Sequence, residues 1–178
     1  NRHRHASHLL GLYPGSAITD KTPELIEACK VSLLDRGFGQ KSGANGSGWG
    51  KANKVNLWAR AKDGNRAYSM LRELINKNIA PNLWDFHPPY QMDGNCGYTS
   101  GVCEMLCYSS DDIIELLPAL PEEWKNGSVK GLCARGGYSL DFTWENGEIK
   151  SLSVYSSCGK KTARIKTGDE IKTVKTVG

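Results

Sequence analysis

Residues that could carry chemistry concentrate in one segment, residues 81–95, which holds two carboxylates, a histidine, several carboxamides and three aromatic side chains. Carboxylates can move protons and activate water. Carboxamides and histidine bind hydroxyl groups directionally, and an aromatic face can cover the apolar side of a pyranose ring. This mixture favours a carbohydrate site. The alternative is an aromatic-rich structural loop in which Asp85 serves as a cap.

A second polar cluster lies near the start of the chain, where histidines occupy positions 3, 5 and 8. Their spacing does not match a helical zinc motif such as HExxH. Hydrogen bonding to a polar ligand, or a structural role, is therefore favoured over metal binding. We expect no metal and no cofactor.

A third candidate region runs from Gly48 to Arg60. It lacks the GxxxxGK[ST] pattern, so phosphate binding is not indicated. Trp58 and Ala59 fit the buried face of a helix, whereas Trp49 falls on what the composition predicts to be a glycine-rich loop. Two interpretations of Trp49 stay open: a core residue or a sugar-binding platform.

The elements that must position these residues are predicted to be helical before Pro118. Thr22-Pro23 and Gly37 bound a first helix, and apolar residues at helical spacing predict three more. Those three cover residues 53–62, 65–78 and 98–108. Two connections, residues 37–50 and 79–97, are long for a compact domain, and loops of that length are usually functional or disordered.

After Pro118 the pattern changes to short apolar/polar alternation, which is typical of strands. Strands are predicted at residues 128–134, 138–144 and 149–155, with one or two more between 164 and 177, and turn signals such as Asn146-Gly147 separate them. The sequence thus predicts an α+β chain with a helical domain over residues 1–117 and a β domain over residues 118–178.

Composition excludes several classes of protein. The 178 residues carry 23 Lys and Arg against 19 Asp and Glu, and 39% are hydrophobic, which is typical of a globular protein. The charges are not clustered as in a nucleic-acid binder, and no apolar run reaches the roughly 20 residues that span a bilayer. We therefore expect neither a nucleic-acid nor a membrane partner. The chain opens at Asn1 without a secretory signal, which leaves its cellular location open.

The six cysteines include no CxxC pair. Cys96, Cys103 and Cys107 fall on one predicted helical stripe. Buried, reduced thiols are favoured over disulfides or a metal site, because a chain of this length can form a stable core without disulfide bonds.

The three polar segments together resemble glycoside hydrolase family 95, whose best-known members are inverting α-L-fucosidases. The family pattern HRHxSHLxxLYPG is matched over residues 3–15, GWSxAWxxNxWARLxDGxxAY over 48–68, and NLxDxHPPFQIDGNFGxTxGxxEML over 82–106. Residues 116–121 and 131–137 are similar to the family's entry into its C-terminal domain. The resemblance covers nearly the whole chain in order.

This resemblance implies a partial (α/α)6 helical toroid followed by a small antiparallel β-sandwich-like domain. Family members are several-fold longer, so the chain is expected to be a fragment: the last part of the catalytic barrel plus the C-terminal domain. The implied partners are a fucosylated oligosaccharide and the missing N-terminal part of the same protein.

The resemblance also implies roles for individual residues. Asp93 matches the family's aspartate that assists water activation, and His5 and His87 match histidines that contact the fucosyl unit. The family's general-acid glutamate and the asparagines that work with the aspartate match nothing in this chain. The isolated chain is therefore expected to be catalytically incompetent. The remaining sugar-binding candidates are Trp49, Trp84, Tyr90 and Gln91.

Departures from the family pattern bear on the substrate. Asn53 stands where the family has tryptophan, Gly50 where it has serine, and Cys96 where it has phenylalanine. These changes affect subsite shape, so an α-L-galactosidase of the same family stays open, because L-galactose differs from fucose by one hydroxyl. A non-catalytic carbohydrate-binding module and a structural module that completes a toroid stay open as well.

Overall fold

The computed structural model describes residues 5–37, 48–86, 90–110 and 112–177. Over these ranges the chain forms four α-helices followed by seven strands in two sheets, which confirms the predicted helical region followed by a β region. The helices are α1 (Pro23–Arg36), α2 (Gly48–Arg60), α3 (Gly64–Asn78) and α4 (Met92–Leu106). The strands are β1 (Cys107–Ser109), β2 (Ile114–Leu116), β3 (Gly127–Ala134), β4 (Tyr138–Glu145), β5 (Glu148–Ser156), β6 (Thr162–Thr167) and β7 (Glu170–Lys175).

The helix ends agree with the sequence where local signals are strong. Helix α1 begins at Pro23 and ends before Gly37, whose φ of 65° suits a glycine at a helix end. Thr22 occupies the N-cap position before Pro23, but its hydroxyl bonds the backbone of Thr19 and makes no cap hydrogen bond. Helix α3 is capped by Asp63, which accepts a hydrogen bond from the Arg66 amide at 3.0 Å.

Helices α2 and α4 both begin earlier than the sequence predicts. The first starts at Gly48 instead of Asn53, and the second starts at Met92 instead of Tyr98. Residues 48–50 and 92–97 are therefore helical, although their glycines and polar residues favour loops. Tertiary packing of these two helix starts overrides the weak local propensity.

Helices α2 and α4 run parallel and pack closely. A Cβ atom added at Gly97 would lie 2.9 Å from Ala52 Cβ, and one added at Gly101 would lie 2.5 Å from Val55 Cγ1. The buried Asn56 side chain donates to the Gly97 carbonyl at 2.8 Å. Because the contacts keep the same order along both helices, the two N-terminal ends lie side by side.

The β region consists of two sheets. Strands β3, β4 and β5 form an antiparallel sheet, and the turn at Asn146-Gly147 has positive φ at both residues, as its sequence predicts. Strands β1, β2, β6 and β7 form the second sheet, in which β2 pairs parallel to β6. The sequence does not predict β1 and β2, because each has only three residues. Both precede the predicted domain boundary after residue 117, which stays a prediction.

Each region has its own apolar core, and two side chains join them. The helical core includes Leu57, Trp58 and Met70, and the β core includes Phe142 and Trp144, so the predicted burial of Trp58 is confirmed. Val102 and Trp124 pack against both cores. The Trp144 indole N–H donates to the Trp124 carbonyl at 2.8 Å, which fixes the joining segment on the β core.

The cysteines are all free, but the prediction that they are buried holds only in part. Cys29 and Cys107 are buried, whereas Cys96, Cys133 and Cys158 are exposed. Cys96 is exposed although Gly94 and Gly97 on either side of it pack against Asp85 and Ala52, so it lies on the opposite, solvent-facing side of α4. Within the described residues, no three metal-ligating side chains cluster and no helix is long and apolar enough to cross a bilayer.

A four-residue charge cluster connects the two regions. Lys62 lies 2.6 Å from Asp20 and 2.8 Å from Glu115, and Lys166 lies 2.7 Å from Asp20 and 3.2 Å from Glu115. Asp20 and Lys62 belong to the helical region, while Glu115 and Lys166 lie on β2 and β6. Each carboxylate therefore contacts one ammonium group from each region.

The opposite charges of this cluster favour the charged form of both Asp20 and Lys166. Burial alone would raise the pKa of Asp20, but hydrogen bonds from Lys166 and Lys62 lower that pKa below its usual value. Burial alone would lower the pKa of Lys166, but bonding to Asp20 and the charge of Glu115 raise that pKa. The cluster thus stabilises the fold at neutral pH. The Asp20 contribution is lost as pH falls below its ordinary value of 3.8.

We expect Asp20→Asn to lower the free energy of unfolding by about 1 kcal/mol at pH 7, since it removes a half-exposed charge from the cluster. The difference from the wild type should shrink as pH falls below about 4 and disappear once Asp20 is protonated in the folded state as well as in the unfolded state. Urea denaturation at several pH values measures this. Glu170→Gln, which breaks the exposed pair with Lys172, is the control and should change stability little. A difference independent of pH would contradict an electrostatic role.

Candidate functional site

The carboxylate of Asp85 lies at the meeting point of three segments. Its side chain is 0% exposed, and it occupies the space beside the first turns of α2 and α4. A Cβ atom at Gly48 would overlap Asp85 Oδ1, and a Cβ atom at Gly94 would overlap Oδ2. Glycine at both positions is therefore what lets the carboxylate enter between the helices.

This position is electrostatically suited to a buried anion. The first turn of a helix has unpaired N–H groups and a partial positive charge, so a carboxylate beside it is stabilised. The two parallel helices direct these ends toward the same point. The Lys51 ammonium attracts Asp85 as well: burial lowers the pKa of Lys51, and the carboxylates of Glu73 and Asp85 oppose that shift. The N-cap position of α4 is occupied by Gln91, so the interpretation of Asp85 as a cap stays a prediction.

The segment before Asp85 is held to α4 by one side chain. Asn95 Oδ1 accepts a hydrogen bond from the Asp85 amide at 2.8 Å, and Asn95 Nδ2 donates to the Leu83 carbonyl at 2.7 Å. The Gln91 amide donates to the Asp85 carbonyl at 3.3 Å. Asn95 is not among the individual residues predicted to bind sugar, although it lies in the polar segment 81–95 and in the family pattern.

Two of the predicted sugar-binding residues, His5 and Trp49, contact each other. Their rings meet edge to face with centroids 4.9 Å apart and an interplanar angle of 61°. The His5 carbonyl accepts a hydrogen bond from Arg36 Nη1 at 2.6 Å. Trp49 lies in the first turn of α2, so its predicted place on a loop is wrong. The packing of the two helix starts around Asp85 explains the difference.

Two further predicted residues, Trp84 and Tyr90, form an exposed aromatic pair. Their ring centroids are 4.7 Å apart with an interplanar angle of 38°, and the residues are 55% and 38% exposed. We call this pair the aromatic platform. Leu83, Phe86 and Met92 are also largely exposed, so the platform lies within a wider apolar surface. Such a surface is suited to stacking against a sugar ring.

The last predicted residues lie at the start of α4. Asp93 is in the first turn of this helix and is exposed to solvent. Gln91 immediately precedes the helix, and its Oε1 is buried without a hydrogen-bond partner among the described residues. His87 lies outside the described residues, so its predicted sugar contact stays a prediction.

The predicted site residues that the structure describes therefore converge on Asp85. Trp49 adjoins Gly48, Asp93 adjoins Gly94, and Trp84 adjoins Asp85 itself. His5 joins the group through Trp49, Tyr90 joins it through Trp84, and Gln91 joins it through its amide. The buried Asp85 carboxylate thus lies next to residues that neighbour Trp49 and Asp93 in the chain, and it directly follows Trp84.

Comparison with known families and proteins identifies related sequences along the whole chain. The glycosyl hydrolase family 95 catalytic domain matches residues 1–106, and the glycoside hydrolase family 95 C-terminal domain matches residues 108–177. The chain is 38% identical over 167 residues to alpha-L-fucosidase 2 of Arabidopsis thaliana, covering 86% of this chain and 19% of that protein.

Two fungal proteins are similar to a comparable degree. The probable alpha-fucosidase A of Aspergillus oryzae is 35% identical over 168 residues, covering 82% of this chain and 23% of that protein. The probable alpha-fucosidase A of Aspergillus niger is 33% identical over 184 residues, covering 92% and 23% respectively. The chain thus spans about a fifth of the length of these curated relatives.

We expect Gly94→Ala to lower the free energy of unfolding by about 3 kcal/mol, because the new methyl group overlaps the buried carboxylate. Replacing glycine with alanine in a helix usually raises the free energy of unfolding by about 1 kcal/mol. A lower free energy of unfolding in this variant would therefore indicate the overlap with Asp85. Urea denaturation measures the change.

Gly11→Ala is the matched control, since its Cβ would lie 3.5 Å from the Ile18 side chain, an ordinary contact. This variant should be close to wild type in stability. Equal stability of the Gly94→Ala and Gly11→Ala variants would contradict the placement of Asp85 against the first turn of α4.

Proposed function

Since the chain belongs to glycoside hydrolase family 95, we propose that it supplies part of the active site of an inverting exo-α-L-fucosidase, which hydrolyses terminal α-L-fucosyl residues of oligosaccharides. The observation that carries this proposal is that Trp49, Trp84 and Asp93 are chain neighbours of Gly48, Asp85 and Gly94, which meet at one buried point, while Tyr90 contacts Trp84. The names of the relatives support the substrate class, although each of them is about four to five times as long as the matched region.

In this proposal Asp93 is the general base, the carboxylate that activates the attacking water. An inverting glycosidase needs a base that removes a proton from water on one face of the sugar, while an acid protonates the leaving oxygen on the other face. Asp93 is exposed at the start of α4, so a water molecule and a sugar can reach its carboxylate. The first turn of the helix fixes the backbone from which the Asp93 side chain extends.

Binding of the sugar falls to the neighbouring polar and aromatic groups. The aromatic platform offers ring faces to the apolar C–H surface of a saccharide. Gln91, which immediately precedes α4, is proposed to bind a sugar hydroxyl with its carboxamide. His5 and His87 are proposed to contact the fucosyl unit, with Trp49 orienting His5 through their ring contact.

The general acid is proposed to be a residue of the protein that lies outside this chain. The family's general-acid glutamate matches no residue here, and a helical toroid closes with twelve helices, whereas four are present in the described residues. The partners of this chain are therefore proposed to be the N-terminal part of the same protein and a fucosylated oligosaccharide.

We expect the gene product read from its natural start to release fucose from 2′-fucosyllactose, and the 178-residue chain alone to release none. Fucose detection in parallel assays measures this. Release by the isolated chain would contradict the assignment of the acid to another region. If neither form releases fucose but the longer form hydrolyses an α-L-galactoside, the substrate is an L-galactoside and not a fucoside.

We expect Asp93→Asn in the longer protein to lower kcat by about 10²–10⁴, the usual contribution of general base catalysis. Glu24→Gln is the matched control, because Glu24 is also an exposed acid in the first turn of a helix, in α1. That variant should keep wild-type turnover. Near-normal turnover of the Asp93→Asn variant would exclude Asp93 as the base.

A further inference from the structure

We propose that Asn95 is a positioning residue for the glycosidase reaction, fixing the aromatic platform relative to the helix turn that carries Asp93. This inference rests on the proposed function, because it assigns the platform a role in holding substrate. It adds a residue whose side chain need not touch the sugar.

The Asn95 side chain makes hydrogen bonds to the backbone on both sides of Trp84. Its Oδ1 accepts from the Asp85 amide at 2.8 Å and its Nδ2 donates to the Leu83 carbonyl at 2.7 Å. These two backbone groups lie on either side of Trp84 in the chain. A carboxamide is suited to this task because it has an acceptor and a donor at its tip. The two bonds together fix the backbone from which the Trp84 ring projects.

The turn at Leu83 needs such support. Leu83 has a φ of 68°, a left-handed conformation that costs free energy for a leucine. Its side chain is largely exposed, so core packing does not hold it in place. Backbone bonds close the turn, from the Leu83 amide to the Ala80 carbonyl and from the Ala80 amide to the Trp84 carbonyl, each 2.8 Å long. Asn95 ties this strained turn to α4.

The same helix turn therefore positions two functional groups. Asp93 and Asn95 lie two residues apart in α4, and the Trp84 ring that Asn95 positions contacts Tyr90. The separation between the proposed base and the platform is thus set by one rigid helix turn and two hydrogen bonds. A sugar stacked on the platform would be presented to Asp93 in a defined pose, which is how enzymes lower the entropic part of a barrier.

A double-mutant cycle in the longer gene product tests this role. We expect Asn95→Ala to raise KM for 2′-fucosyllactose about tenfold, with a smaller effect on kcat, since two hydrogen bonds that hold the binding surface are lost. Trp84→Ala should act in the same way. The double variant should be no worse than the Trp84→Ala variant, because Asn95 acts through Trp84. Additive effects on KM would overturn the proposal.

Asn65→Ala is the matched control. Asn65 makes a similar two-point contact, accepting from the Glu122 amide at 2.9 Å and donating to Glu122 Oε1 at 3.1 Å, but it lies at the start of α3. This variant should keep the wild-type KM. If Asn95→Ala does not fold, Asn95→Asp replaces it, because a carboxylate keeps the acceptor but faces the Leu83 carbonyl with an oxygen. The same rise in KM is expected, and a wild-type KM would contradict the role.

Amide hydrogen exchange provides a readout that needs no catalysis. The Asp85 amide should exchange at least about tenfold faster in the Asn95→Ala variant, since its acceptor is gone. Unchanged exchange would overturn the positioning role whatever the kinetics. If the wild-type protein hydrolyses no fucoside, the proposed function fails, while the exchange measurement still decides whether Asn95 holds the turn.

Discussion

A buried carboxylate between two helix starts is the constraint on which the rest of the helical region depends. Asp85 can be buried there only because α2 and α4 run parallel and direct the positive ends of their dipoles to one point. Two parallel neighbouring helices bring their partly positive N-terminal ends together, which is unfavourable. The negative charge of Asp85 offsets this repulsion, so the carboxylate and the two helices stabilise each other. Glycines 48 and 94 leave the necessary room. Trp84 and Asp93, two exposed residues proposed to act on a sugar, are chain neighbours of Asp85 and Gly94 at this buried centre.

The two regions of the chain are joined by different forces at different points. Val102 and Trp124 provide apolar contact with both cores, while Asp20, Lys62, Glu115 and Lys166 provide alternating charges. The charge cluster lies at the C-terminal end of α2, and Asp85 lies at its N-terminal end. Helix α2 therefore connects the junction to the candidate site along its whole length.

Sequence patterns predicted elements well where the signal is local. Gly37 ends α1, and Asn146-Gly147 forms a turn between strands, because each residue type has a backbone preference that tertiary contacts do not oppose. The starts of α2 and α4 could not be predicted in this way, since a distant carboxylate makes Gly48 and Gly94 favourable in a helix. Strands of three residues, such as β1, carry too little pattern to detect. The family pattern supplied the predicted site residues, which stay predictions, and neither periodicity nor composition indicated that Asp85 would be buried between two helix starts.

The parallel pairing of β2 with β6 has a consequence for the order in which the chain acquires its structure. Strands β3, β4 and β5 follow one another and can pair as hairpins, and β2 can pair with β1, but the second neighbour of β2 is a strand that begins at Thr162. The bond from Lys166 to Asp20 spans 146 residues. On a ribosome, the helices and the three-stranded sheet emerge before this contact can form. The junction between the two regions is therefore among the last parts of the protein to close.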